Sequence, residues 1–224
     1  MRLVVAAACS PILLIFALAH GSSLGAAGDW LGEALAQQDA ILADPLLEEI
    51  VRDADRRRRQ SNPASGGVPV FATRCGDHPV PTGPENGLDW LFGQFRARGG
   101  QKRAIIGFYR PLWPFSDAVA VTSGPCATGF KFNKLKDHDP VGATNTLVHE
   151  RIHTFGHTHA RGNERPPNAC DAAYVTGDAA EAITAHRRNL VSYEFDAPMC
   201  RALCQALAAR RMPHGCTAKK PGKP

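Results

Sequence analysis

Apolar residues recur at helical spacing in the front part of the chain. The pattern predicts one helix over 30–43, with Asp29 as its N-cap, and a second over 46–59, preceded by Pro45. The apolar positions of the second helix lie on one face: Leu46, Leu47, Ile50 and Val51. A linker-like stretch rich in serine, glycine and proline follows, so we expect residues 20–66 to form a helical N-terminal segment and linker.

Beyond this segment the pattern changes to short alternating stretches that are typical of strands. Strands are predicted at 68–73, 103–109, 118–122 and 130–132. Helical spacing returns at 85–98, 146–155, 177–189 and 198–211. The order of these elements predicts one α+β domain over 67–224, with a small β-sheet among the helices.

The composition is that of a globular protein, and the distribution of its charge argues against a nucleic-acid partner. The 224 residues are 44% hydrophobic and 21% charged, as in ordinary folded domains. The net charge of +5 comes largely from the arginine run at 56–59 and from lysines in the C-terminal tail. Because no basic patch is interleaved with aromatic residues, we expect no nucleic-acid partner. We expect a monomer.

The first residues resemble a secretory signal. Met1-Arg2 precedes an apolar run over 3–19 that ends in Ala17-Leu18-Ala19, a small-x-small cleavage site. The pattern predicts a signal peptide over 1–19, a secreted or periplasmic protein, and no stable membrane association once the signal is removed. Residues 20–66 would then be either a propeptide, cut near the arginine run, or an N-terminal extension of the domain.

Export also changes the interpretation of the cysteines. Cys9 would leave with the signal, and six cysteines would remain: Cys75, Cys126, Cys170, Cys200, Cys204 and Cys216. An even number suits an oxidising compartment and up to three disulfides, whose connectivity the spacing leaves open.

The chemistry of the chain centres on the motif His-Glu-x-x-His at 149–153. On a helix, His149 and His153 lie one turn apart on the same face, where two neutral imidazoles can hold Zn²⁺. Glu150 lies beside them and can take a proton from a water activated by the metal. The motif therefore predicts a zinc-dependent hydrolase.

A third zinc ligand has three candidates. His159 follows Gly156, and the run from His149 to His159 has the spacing of the metzincin signature, His-Glu-x-x-His-x-x-Gly-x-x-His. Asp171 lies farther along, in Asp-x-x-Tyr, with Tyr174 three residues after it. Glu181 lies on the following predicted helix.

Several motifs in order resemble the aspzincins, the secreted zinc endopeptidases that include deuterolysin and the peptidyl-lysine metalloendopeptidases. These enzymes pair His-Glu-x-x-His with a later Asp-x-x-Tyr, here at 171–174. Similar stretches occur at 123–126, 144–148 and 189–195. The resemblance implies a zincin-like domain that acts on protein or peptide substrates. It also implies that His149, His153 and Asp171 hold the zinc and that Tyr174 stabilises the transition state.

We therefore expect a secreted zinc endopeptidase with Glu150 as general base. Two alternatives stay open: a metzincin-type peptidase with His159 as the third ligand, and a non-catalytic secreted zinc-binding protein. No motif in the sequence indicates the cleavage specificity or the physiological substrate.

Overall fold

The computed structural model describes residues 24–61, 84–100, 106–109, 120–123, 127–131, 140–157, 159, 170–190 and 200–212. Within these ranges the chain forms six helices and three strands. The helices are α1 (Leu24–Leu42), α2 (Pro45–Ser61), α3 (Pro84–Arg98), α4 (Pro140–His153), α5 (Ala172–Arg187) and α6 (Arg201–Ala209). The strands are β1 (Ile106–Tyr109), β2 (Ala120–Ser123) and β3 (Ala127–Lys131).

The predicted α+β fold class is wrong, because helices dominate the described residues and the strands are few and short. The helices contain 9 to 19 residues each, whereas the strands contain only four or five. Short alternating stretches do indicate extended backbone, but they do not tell whether enough strands assemble to form a layer. Here the helices supply the core, and the strands pair in the order β1-β3-β2 beside them.

The three strands bring β2 into contact with α4. β1 runs parallel to β3, with Phe108 opposite Phe130, and β2 runs antiparallel to β3, with Val121 opposite Gly129. The hydroxyl of Thr122 on β2 reaches the backbone and side chain of Glu150 on α4. The small sheet is thereby attached to the helix that carries the histidine pair.

The principal core joins α2 to the C-terminal helices. Large apolar side chains that are fully buried come from α2, α3, α4, α5 and α6: Leu47, Ile50, Leu91, Ile152, Ile183 and Leu203. Burying one such side chain contributes about 1.5–3 kcal/mol. Removal of residues 20–66 would therefore expose core side chains of the other helices.

A second, smaller core places α1 against α4. Leu31, Ala34 and Leu35 pack on Ala143 and Leu147. At its edge the buried amide of Gln38 donates a hydrogen bond to the carbonyl of Leu147, at 2.7 Å. The helix with the histidine pair is consequently covered on this side by α1.

Several features predicted from the sequence lie outside the described residues. They are the signal peptide at 1–19, the strand at 68–73, most of the stretch at 189–195, and Cys75, Cys126 and Cys216. In the part of the chain that is described, no helix is both long enough and apolar enough to span a membrane.

Candidate metal centre

Helix α4 holds the two histidines of the motif. It starts at Pro140, a residue suited to the first helical turn, and it ends at His153. His149 and His153 lie one turn apart, and their Nε2 atoms are 3.1 Å from each other. A tetrahedral metal with bonds of about 2.0–2.1 Å separates two nitrogen ligands by about 3.3 Å. The pair is therefore spaced as metal ligands are.

The second ring nitrogen of His153 fixes how this imidazole is protonated. Its Nδ1 lies 2.8 Å from the backbone carbonyl of His157, which can only accept a hydrogen bond. The proton is thus assigned to Nδ1, and the Nε2 lone pair points toward His149. Burial lowers the pKa of His153 to about 4. Burial and the neighbouring histidines lower the pKa of His149 well below its ordinary value. Both rings are neutral at pH 7.

The chain turns back at the end of α4. The amide of Gly156 donates to the carbonyl of His153 at 3.0 Å, and its φ of 100° lies in the left-handed region that favours glycine. This turn returns His157 and His159 toward the helix. Both side chains are almost fully buried, at 0% and 5% exposure.

His159 completes a group of three imidazoles. One ligand atom each from His149, His153 and His159 lies within 4.8 Å of the other two. Three imidazoles so arranged could hold a metal ion. His157, His159 and Asp171 form a second group with the same spacing, which shares His159 with the first. We call these five residues the histidine cluster.

Both carboxylate oxygens of Asp171, the acidic member of this cluster, are hydrogen-bonded. Oδ1 accepts hydrogen bonds from the backbone amides of Ala173 and Tyr174, at 3.0 and 3.2 Å, and so caps α5. Oδ2 accepts from Nδ1 of His159 and lies 3.7 Å from Nε2 of His157. Burial acts to raise the pKa of Asp171, but hydrogen bonds from these histidines hold it well below the usual range. Asp171 is thus ionised and oriented toward His159.

Glu150, the predicted general base, is buried next to the histidines. Its Oε2 accepts a hydrogen bond of 2.5 Å from the hydroxyl of Thr122. Burial raises the pKa of Glu150 to about 7, although Thr122 and His159 oppose the shift. A carboxylate with a pKa close to neutrality can both take up and release a proton under working conditions.

Tyr174 also reaches the cluster. Its ring centroid is 4.4 Å from that of His149 and 4.9 Å from that of His159, in a stacked arrangement with the latter. Tyr174 is in the first turn of α5, directly after the Asp171 cap. The predicted catalytic tyrosine is therefore in contact with two of the three imidazoles.

Glu181 lies in a different place. The side-chain amide of Asn145 on α4 donates to Asp178 at 2.9 Å and also to Glu181, both on α5. All of these contacts lie farther along the α4–α5 interface than the histidines. We call Asn145, Asp178 and Glu181 the carboxamide cluster.

Sequence reasoning missed two residues of the site. His157 belongs to none of the motifs, yet it is buried and its carbonyl orients His153. Thr122 belongs to no motif, and its hydrogen bond to Glu150 becomes visible only when β2 packs against α4.

Comparisons with models of known protein families, with curated proteins and with solved structures found no match. The resemblance to aspzincins therefore stays a prediction. What the site can do is inferred from its own residues.

Proposed function

We propose that this protein is a zinc-dependent endopeptidase and that His149, His153 and His159 hold the metal. The observation that carries the proposal is the convergence of three imidazoles within 4.8 Å, next to a buried glutamate. Neutral imidazoles bind zinc well, and three protein ligands leave a coordination position for water or substrate. When bound, zinc supplies the Lewis acidity that makes water a nucleophile near neutral pH and polarises a carbonyl oxygen.

Glu150 moves the proton in this proposal. Its carboxylate accepts a proton from the attacking water and then gives it to the leaving amine of the cleaved peptide bond. The hydrogen bond from Thr122 holds Oε2 in place, and burial keeps the pKa near 7. Glu150 can therefore both accept the proton from water and donate it to the leaving amine at neutral pH.

Asp171 acts as a positioning residue in this proposal, because one oxygen is used by the helix cap and the other by His159. A carboxylate bonded to Nδ1 of a histidine fixes the ring and its tautomer, so that Nε2 is directed to the metal. Tyr174 packs on His149 and His159, and in this proposal its hydroxyl stabilises the charge that develops on the substrate carbonyl. Protein or peptide chains are the substrates.

Glu150→Gln provides the direct test. The variant should keep its zinc and lose turnover of a denatured general protein substrate by about 10²- to 10⁴-fold, because glutamine cannot accept the proton. Zinc content is measured by elemental analysis, and cleavage is followed with and without a chelator. Glu49→Gln on α2, whose side chain is 64% exposed, is the matched control and should retain full activity.

Two results would contradict the proposal. Wild-type cleavage that survives complete removal of the metal would show that zinc is not needed. Fully zinc-loaded wild-type protein without any turnover would instead identify a non-catalytic zinc-binding protein.

A further inference from the structure

Two thiols meet immediately before the histidine cluster. Cys170 precedes Asp171, and Cys200 is the residue before α6. The two side chains are hydrogen-bonded to each other and line one small pocket together with Ala172 and Val175. Cys200 is 2% exposed, whereas Cys170 is only partly covered. Cys170 is therefore the more exposed residue of the pair.

The surroundings favour the thiolate form of Cys200. The hydrogen bond from Cys170, the backbone amide of Leu203 and the charge of Arg58 together lower the pKa of Cys200 to about 7, against the effect of burial. Arg58 also donates a hydrogen bond of 2.8 Å to the carbonyl of Cys170. Arg58 on α2 thus holds the backbone of Cys170 and stabilises the thiolate of Cys200 by its charge.

We propose that Cys170 and Cys200 are an oxidation site that reacts with a small dialkyl disulfide and closes into a Cys170–Cys200 disulfide. The hydrogen bond to Cys200 raises the pKa of Cys170, so Cys170 first passes its proton to the Cys200 thiolate across that bond. Its sulfur then attacks one sulfur of the small disulfide, and the departing thiolate takes the proton from Cys200 and leaves as the first thiol. The thiolate of Cys200 then attacks Cys170 and releases the second thiol. Two protein thiols are oxidised, one small disulfide is reduced, and the thiol protons leave with the two products.

The cysteine count agrees with this pairing. Cys204, one turn along α6 from Cys200, is already disulfide-bonded. Of the six cysteines after the predicted signal, the Cys204 disulfide uses two and a Cys170–Cys200 disulfide would use two more. The remaining pair allows a third disulfide, as expected for an exported chain.

Closure would tie the start of α5 to the start of α6. The cross-link spans a loop of about 30 residues, and a disulfide of this loop length should raise the melting temperature by roughly 5–15 °C. It would also fix the residue before Asp171, whose carboxylate orients His159. This second effect rests on the proposed function, and it predicts tighter zinc binding in the oxidised protein.

Peptide mapping of the full chain tests the cross-link. The protein is incubated with oxidised glutathione, alkylated, digested without reductant and analysed by mass spectrometry. We expect a peptide pair joined through Cys170 and Cys200, and a higher melting temperature than before oxidation. In Cys200→Ser, Cys170 should instead retain a glutathione adduct, because the resolving thiol is missing.

Three outcomes separate the parts of this inference. Alkylation of both thiols in the oxidised wild type, or a lasting glutathione adduct on Cys170, would overturn it. The double variant Cys170→Ser/Cys200→Ser should show no rise in melting temperature on oxidation, and an equal rise would overturn the assigned pairing. Unchanged zinc affinity in the cross-linked protein would overturn only the predicted effect on zinc binding by the histidine cluster.

Discussion

The carboxamide cluster and the histidine cluster both lie along the α4–α5 interface, but their buried polar groups are arranged in opposite ways. Asn145, His149 and His153 are spaced four residues apart on one face of α4. Asn145 is hydrogen-bonded to α5, and His149 lies against Tyr174 of the same helix. In the carboxamide cluster an amide N–H₂ donates to two carboxylates. In the histidine cluster, ring nitrogens of His149, His153 and His159 converge on one another.

This difference separates a structural group from a metal-binding one. Hydrogen bonds from Asn145 satisfy an acceptor on each carboxylate, so the carboxamide cluster joins two helices. Converging acceptors repel each other unless a proton or a cation lies between them, and ligands of this kind favour a metal. The same helix face therefore carries a structural contact at one end and a candidate metal centre at the other.

Removing one imidazole should have the largest effect. His149→Ala should weaken zinc binding by more than the roughly 10- to 100-fold loss typical of outer residues, because it removes a ligand. Zinc affinity is measured by competition with a chelating dye. His186→Ala, an exposed histidine near the end of α5, should bind zinc like the wild type. Equal loss in both variants would contradict the assignment.

Asp171→Asn tests the alternative ligand set. Asparagine can still cap α5, but it lacks the charge that orients His159. If Asp171 is a positioning residue, zinc binding weakens by about 10- to 100-fold, while His159→Ala is as damaging as His149→Ala. If Asp171 is instead a ligand, as the resemblance to aspzincins implies, its variant loses zinc as completely as His149→Ala does.

Asn145→Ala tests the other end of the interface. The change removes a donor from two buried carboxylates and should lower the free energy of unfolding by about 1–3 kcal/mol. Zinc affinity of the folded protein should stay unchanged, since Asn145 belongs to the carboxamide cluster. Denaturant unfolding and zinc titration of the same preparation give both values. A large drop in zinc affinity without loss of stability would reverse the roles of the two clusters.

Gly177→Ala should have the smallest effect. A methyl group there would lie 2.5 Å from Oδ1 of Asn145 and 3.0 Å from its carbonyl, so α4 and α5 must separate slightly. Such overpacking costs about 1–3 kcal/mol, and the better helix propensity of alanine offsets up to about 1 kcal/mol. In the matched variant Gly93→Ala the methyl meets nothing within 4 Å, so the melting temperature should stay equal or rise.

The local features of the site could be predicted from the sequence, because they depend on residues close together in the chain. The spacing of His149 and His153 on a helix is a property of five consecutive residues. The exit of the chain at Gly156 follows from the ability of glycine to adopt a positive φ, which is 100° here. The helical pattern in 46–59 likewise corresponds to α2, whose bounds are Pro45–Ser61.

Only the tertiary structure decided the partners of each polar group and the class of the fold. The sequence offered Asp171, His159 and Glu181 as candidate third ligands, and the resemblance to aspzincins favoured Asp171. Packing directs the oxygens of Asp171 to the α5 amides and to His159, and it brings Glu181 to Asn145, 36 residues away. Likewise, short alternating stretches could not tell that helices would bury the large apolar side chains. Contacts between distant residues depend on how helices pack, which no local pattern encodes.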